Sequence, residues 1–126
     1  MKIKLTSVYV NNPIKAFHFY TEYIGFLEHM FVPVASLAIV VAPEDRDGTA
    51  LLLEPNTHPA AKTYQEAMYK DSLPVITLNA IDVHEKYEEL IAKGVTFTQK
   101  PTESKWGISA IFEDTCGNLI QIHQDL

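Results

Sequence analysis

The sequence predicts an α+β domain made of two repeated β-α-β-β-β modules that pair their sheets around a central cavity. Three observations carry this expectation. Near the amino terminus a β-rich run, a capped helix start and a helix-ending glycine follow one another, at residues 3–10, Asn12-Pro13 and Gly25. The same signals return in the same order at residues 75–80, Asp82 and Gly94. Each half then closes on a polar turn with a glycine, Gly48 or Gly117, followed by a last strand.

Each element has a local reason. Residues 3–10 are rich in β-branched and apolar types and stop at Asn11-Asn12-Pro13, which predicts a strand. Asn12 suits the cap of a helix with proline at its first position, where the missing N–H costs nothing. Ile14, Phe17, Tyr20 and Ile24 recur near the helical period, and Gly25 ends the helix. Strands are expected at about 26–33, 36–42 and 49–55, with turn residues 43–48 between the last two. Asn56-Thr57-His58-Pro59 starts a connecting helix over about 60–70, and Pro74 closes that segment.

In the second half residues 75–80 form a strand, and Asp82 with Glu85 has the spacing of a capping box. Val83, Tyr87, Leu90 and Ile91 supply the apolar stripe of the next helix, which Gly94 stops. Strands at about 95–100, 107–113 and 118–124 complete the chain, with residues 100–104 as a loop. The whole of 1–126 is one domain: a first module to about 56, a connecting helix over about 57–73, and a second module from about 74.

Composition narrows the function classes. With 47% hydrophobic and 21% charged residues the chain reads as globular and soluble. A net charge of -6 without any basic run argues against nucleic-acid and anionic-membrane partners. The longest apolar run, residues 35–42, is too short to span a bilayer, and residues 1–5 lack the character of a signal peptide. One cysteine, Cys116, excludes an internal disulfide framework and suits a reducing compartment, so a cytoplasmic location is expected.

Superposed, the halves place Asn12 on Asp82, Phe17 on Tyr87, Tyr20 on Leu90 and Gly25 on Gly94 with one residue of slippage. Gly48 falls on Gly117, so Leu52 corresponds to Gln121 and Glu54 to His123. The stretch Val10-Asn11-Asn12-Pro13-Ile14-Lys15-Ala16-Phe17-His18-Phe19-Tyr20, leading to Ile24-Gly25-Phe26, resembles the vicinal oxygen chelate superfamily. That superfamily contains glyoxalase I, extradiol dioxygenases and the bleomycin- and fosfomycin-resistance proteins. Ile81-Asp82-Val83, Lys93-Gly94-Val95 and residues 114–120 (Asp-Thr-Cys-Gly-Asn-Leu-Ile) extend the resemblance to the second half. It specifies the fold well and the reaction poorly, because one scaffold carries many chemistries.

The resemblance implies metal ligands on the first and last strands of each half, at Leu5, Leu52, Val75 and Gln121. Three of these have no lone pair, and a neutral amide is a poor substitute for a carboxylate or imidazole. No cofactor is therefore expected. A register displaced by two residues would instead bring in Glu54 and His123, with His58 as a third ligand, making a divalent metal the alternative.

By alternation the cavity is lined by Leu5, Ser7 and Tyr9, by Leu52 and Glu54, by Val75, Thr77 and Asn79, and by Leu119, Gln121 and His123. This is an apolar floor with a few polar groups, as in small-molecule sites. Trp106 is a candidate for stacking on a planar or cationic ligand. Glu54 and His123 are candidates for an acid–base pair, weighed against a solvated or structural role. Cys116 has acidic neighbours and no cation to activate it, which speaks against a nucleophile. His18, His29 and His84 are expected on solvated faces, and Tyr64 and Tyr69 are expected over the cavity or at a dimer contact.

The leading expectation is a metal-independent protein similar to the bleomycin-resistance type, binding a small organic molecule in the cavity between the modules. The alternative is a metal-dependent glyoxalase-like lyase or isomerase, or a dioxygenase, using Glu54 and His123. A fold kept only for assembly is the third. The resemblance implies a homodimer under all three.

Overall fold

The computed structural model describes all 126 residues. The first half contains β1 (Leu5–Val10), α1 (Pro13–His18), β2 (Leu27–Val32), β3 (Leu37–Val41) and β4 (Ala50–Pro55). A connecting helix, α2 (Pro59–Lys70), leads to β5 (Ile76–Asn79), α3 (Val83–Ala92), β6 (Phe97–Ser104), β7 (Gly107–Glu113) and β8 (Leu119–Asp125). The sheets have matching orders, β1-β4-β3-β2 and β5-β8-β7-β6. In each, the first and last strands of the half run parallel and the other pairs antiparallel.

The repeat holds down to single devices. Asn12 Oδ1 accepts from the backbone N–H groups of Ile14 and Lys15, both at 3.1 Å, and Asp82 Oδ1 accepts from Glu85 N at 3.0 Å. Each cap satisfies donors that a helix start leaves orphaned. Gly25 (φ +92°) and Gly94 (φ +90°) both take the left-handed conformation that lets the chain leave a helix and enter a strand. Ser7 faces Leu52 and Tyr9 faces Glu54, while Thr77 faces Gln121 and Asn79 faces His123. The superposition of Leu52 on Gln121 and of Glu54 on His123 is therefore the register of the sheets.

Three local expectations need correction. Residues 100–104 belong to strand β6 rather than to a loop. Pro101 is tolerated because β6 is an edge strand, and register shifts around Gln99 and Thr102 absorb the irregularity. The first helix passes into a π-helical turn at Phe19–Tyr23, where both Phe19 and Tyr20 are buried, so its buried set departs from a simple helical stripe. Ile14 and Ile91, expected on core stripes, are exposed.

A single core joins the halves. Val8, Val40 and Leu53 from the first sheet cluster with Ala110, Phe112 and Ile120 from the second, and with Phe17, Tyr20, Val83 and Leu90 from the helical segments. Rings run across the joint from Phe19 to Phe112 (6.2 Å between centroids), Phe97 (5.5 Å) and Tyr87 (4.7 Å). Each large apolar side chain buried here contributes roughly 1.5–3 kcal/mol relative to exposure. Only the helix-bearing sheet faces enter this core. The opposite faces look away from it, and on the first of them Leu5, Met30 and Val32 are exposed.

Candidate functional site

The side chains expected to form a site lie on those two outer faces. On the first sheet, β1 presents Ser7 and Tyr9 beside Leu52 and Glu54 of β4, and Ile39 of β3 lies opposite Leu52. Met30, opposite Ile39, and Val32, opposite Leu37, extend the same face. Apart from Ser7, Tyr9 and Glu54, these groups are hydrocarbon or thioether.

On the second sheet, Thr77 and Asn79 lie beside Gln121 and His123, with Ser109 opposite His123. Gln121 Nε2 donates to Thr77 Oγ1 at 3.1 Å, which leaves the Gln121 carbonyl oxygen free to accept. His123 Nε2 sits 3.2 Å from the carbonyl oxygen of Trp106 and 3.2 Å from Asp125 Oδ1. Both neighbours are acceptors, so the geometry calls for a proton on Nε2, which makes Nδ1 the acceptor when the ring is neutral.

Trp106 stands at the β6–β7 turn, 72% exposed, with Lys105 Nζ 5.0 Å from its ring centroid. The adjacent Gly107 has φ +141°, and a Cβ there would lie 2.1 Å from the carbonyl oxygen of Gln124 and 2.9 Å from His123 Nε2. Glycine is required for this turn to approach β8 so closely.

Two cavities lie at the junction of the halves. One, of about 200 Å3, is enclosed by α2 and the strands β1 and β5, and includes Ser7, Tyr9, Tyr64 and Gln65. The other is an open groove of about 810 Å3 whose walls include Thr77 and Asn79. Leu52, Glu54, Trp106, Gln121 and His123 line neither of these two. Within each sheet the candidates are neighbours, and the smaller cavity brings Ser7 and Tyr9 of the first half together with Val75 of the second.

His58 acts locally, its Nδ1 accepting from Ala60 N at 3.0 Å to cap α2. No three His, Cys, Asp or Glu side chains converge anywhere in the chain to hold a metal ion. Glu54, His58 and His123 of one chain therefore do not fit together as a ligand set. Tyr69 hydrogen-bonds Glu113 through its hydroxyl, and Tyr64 borders the smaller cavity.

A polar knot behind the smaller cavity escaped sequence reading. Asp114, fully buried, accepts from four donors: Tyr20 Oη and Asn118 Nδ2 at 2.8 Å, Cys116 N at 2.8 Å and Asn118 N at 3.0 Å. Burial raises its carboxyl pKa, and those hydrogen bonds oppose the rise. Gln65 Nε2 reaches the carbonyl oxygens of Tyr9 (2.9 Å) and Cys116 (3.1 Å) and Asn118 Oδ1 (3.2 Å), while its own oxygen accepts from Asn56 Nδ2.

Asn118 Nδ2 also donates to the carbonyl oxygen of Tyr9 at 2.7 Å, so the knot holds the end of β1 against the second half. Cys116 lies within it, its thiol pushed up to about 11 first by burial and then by the Asp114 charge. Both effects disfavour the thiolate at neutral pH. The available signal was the pattern Asp114-Thr115-Cys116-Gly117-Asn118, an acid and an amide flanking a glycine turn.

Comparison with known proteins places this architecture. YurT of Bacillus subtilis (strain 168) is 47% identical over 126 residues, 98% of this chain and 99% of its own. The crystal structure of TnmS3, described as an antibiotic binding protein from Streptomyces sp. CB03234, superposes with a TM-score of 0.78 at 30% identity, covering 100% of this chain and 97% of that one. UcmS2 has a TM-score of 0.83 at 22% identity, with 99% and 98% of the two chains covered, and supports the fold alone. No helix is long and apolar enough to cross a membrane. A family profile matches residues 2–122, and with the duplicated sheets and caps it shows that the chain belongs to the Glyoxalase/Bleomycin resistance protein/Dioxygenase superfamily.

Proposed function

We propose that the protein binds a small organic molecule, without a metal ion, between the apolar outer face of its first half and the polar outer face of its second. Two copies of the chain supply the two faces of each site, so the working form is a homodimer. The observation that carries this reading is the contrast between the faces. Leu5, Met30, Val32, Ile39 and Leu52 outnumber Ser7, Tyr9 and Glu54 on the first face and offer desolvation, whereas Thr77, Asn79, Gln121 and His123, beside Ile111, offer directed hydrogen bonds on the second.

A ligand needs both parts. Burial of apolar area is worth roughly 25 cal/mol per Å2, and a few fixed polar groups set orientation. The exposed Leu5, Met30 and Val32 make an open apolar surface of the kind that marks an interaction site. That TnmS3 is described as an antibiotic binding protein, at 30% identity over nearly both whole chains, supports sequestration of an antibiotic-like compound. In this reading Gln121, held by Thr77, accepts from the ligand, and exposed Trp106 closes over a planar part of it.

The test is a thermal-shift screen of metal-stripped protein against antibiotics and other planar or cationic compounds, with metal analysis of the purified protein alongside. A saturable rise in melting temperature at one ligand per site, independent of added metal, is the expected result. Stoichiometric divalent metal that is lost in Glu54→Ala and His123→Ala would replace this reading with the metal-dependent enzyme. No stabilisation by any compound would favour a fold kept for assembly.

A further inference from the structure

The two joints between the halves are repeat-related, and they differ. At the first, the turn over residues 114–118 packs onto the first half. Asn11 N donates to the carbonyl oxygen of Cys116 at 3.1 Å, Lys15 Nζ to that of Thr115 at 3.1 Å, and Tyr20 Oη to Asp114 at 2.8 Å. The repeat puts Asp45 where Asp114 stands and Leu90 where Tyr20 stands. At that second joint the turn over residues 43–48 satisfies itself, with Asp45 N donating to the carbonyl oxygen of Ala42 and Gly48 N to that of Asp45. Asp45 is exposed, and the joint opens into the groove of about 810 Å3.

This groove has the construction of a binding site. Its floor is apolar and preformed, from Leu90, Phe112 and Ile122, which are buried in the core. Ile24 and Phe26 of the first half form one wall, and β5 with its open edge forms another. The volume lies within the range of small-molecule pockets. The groove shares Thr77 and Asn79 with the sheet face assigned above. It reaches the helix-bearing side of that sheet, where Leu78 rather than Thr77 points.

The rim is predominantly negative. Glu44, Asp82, Glu85 and Glu89 border the groove, against a single cation, Lys86. Lys86 is bonded to Glu89 at 2.9 Å, and Glu89 also lies 3.8 Å from Lys93, so that amine is engaged. Glu44, Asp82 and Glu85 take part in none of the chain's ion pairs. Carboxylates over an apolar floor select a molecule with an apolar body and a positive charge.

We propose that this groove, on the helix-bearing side of the second sheet, is a second ligand site and that it takes an amphipathic organic cation. The experiment uses tetraphenylphosphonium and tetraphenylborate, which share a shape and differ in the sign of charge. Each is titrated into the isotope-labelled full chain and followed by amide chemical shifts.

The cation is expected to shift Ile24, Ile81 and Glu85 and to leave Leu52, Glu54 and Trp106 unmoved, while the anion shifts none of the groove amides. Glu44→Gln with Glu85→Gln, two exposed changes, is expected to weaken the cation about threefold to tenfold without altering the circular dichroism spectrum. Absence of saturable cation shifts would overturn the proposal, as would equal response to the anion or shifts confined to the outer sheet faces. Groove amides that change on dilution of the ligand-free protein would overturn it too, by showing that a second copy covers the groove.

Discussion

The two halves share a backbone plan and differ in what their outer faces can do. Both follow their first strand with a capped helix, both turn on a left-handed glycine, and both pair first strand with last in the same register. Where the first half shows Leu52 flanked by Ser7 and Ile39, the second shows Gln121 flanked by Thr77 and Ile111. Where the second half docks its closing turn through a buried Asp114, the first leaves Asp45 in solvent beside a groove. The repeat therefore sets geometry, and single side chains set chemistry. The first half presents mainly apolar groups on its outer face and the second mainly hydrogen-bonding groups, and the proposed small-molecule site draws on both.

The two halves are expected to differ most at their closing turns. Asp114→Ala leaves four donors without their acceptor and is expected to cost about 3 kcal/mol or more in urea unfolding. Asp45→Ala, the repeat-equivalent change, is expected to fall within about 0.5 kcal/mol of wild type. Equal losses would mean that the two joints are alike.

Exchanging the chemistry of the faces comes next. Leu52→Gln and Gln121→Leu are each expected to weaken ligand binding about tenfold, the effect of roughly 1.4 kcal/mol. Each should leave stability within about 1 kcal/mol, because both positions are only half-buried. Calorimetric titration with a compound from the thermal-shift screen reads the first quantity, and denaturant unfolding reads the second.

A smaller effect follows from protonation. Burial raises the Asp114 carboxyl above the ordinary carboxylate value, so the folded chain holds that proton more tightly than the unfolded chain. Its contribution to stability is fullest below the unfolded value and declines as pH rises through the interval up to the raised folded value. The stability of wild type minus that of Asp114→Asn is expected to fall with rising pH across that acidic interval. A flat or rising difference would contradict the assignment. Last, Cys116, with its thiol pushed up to about 11, is expected to resist iodoacetamide at neutral pH until the protein is unfolded.

Much of the fold was legible because its signals are local. Asn12, Asp82, Gly25 and Gly94 act within a few residues of themselves, and all four do what their types and spacing announce. Residues 100–104 misled because Pro101 reads as a breaker, whereas an edge strand has no need of that N–H on its free side. That Ser7 and Leu52 share one face, and Thr77 and Gln121 another, was legible because the alternation has a period of two. The Asp114 knot was not, since Tyr20 lies 94 residues away and only the tertiary fold brings the two together. The groove was likewise out of reach, because it arises from what the second joint lacks relative to the first.

In the proposed dimer each ligand lies between the first half of one copy and the second half of another. Ligand stoichiometry of a mixed dimer tests it most directly, with Leu52→Gln in one chain and Gln121→Leu in its partner. If sites form between copies, one site keeps both native faces and the other loses both. The mixed dimer is then expected to bind one ligand with wild-type affinity. If each site lies within a single chain, both are damaged, and a mixed dimer without any wild-type-affinity site would contradict the account.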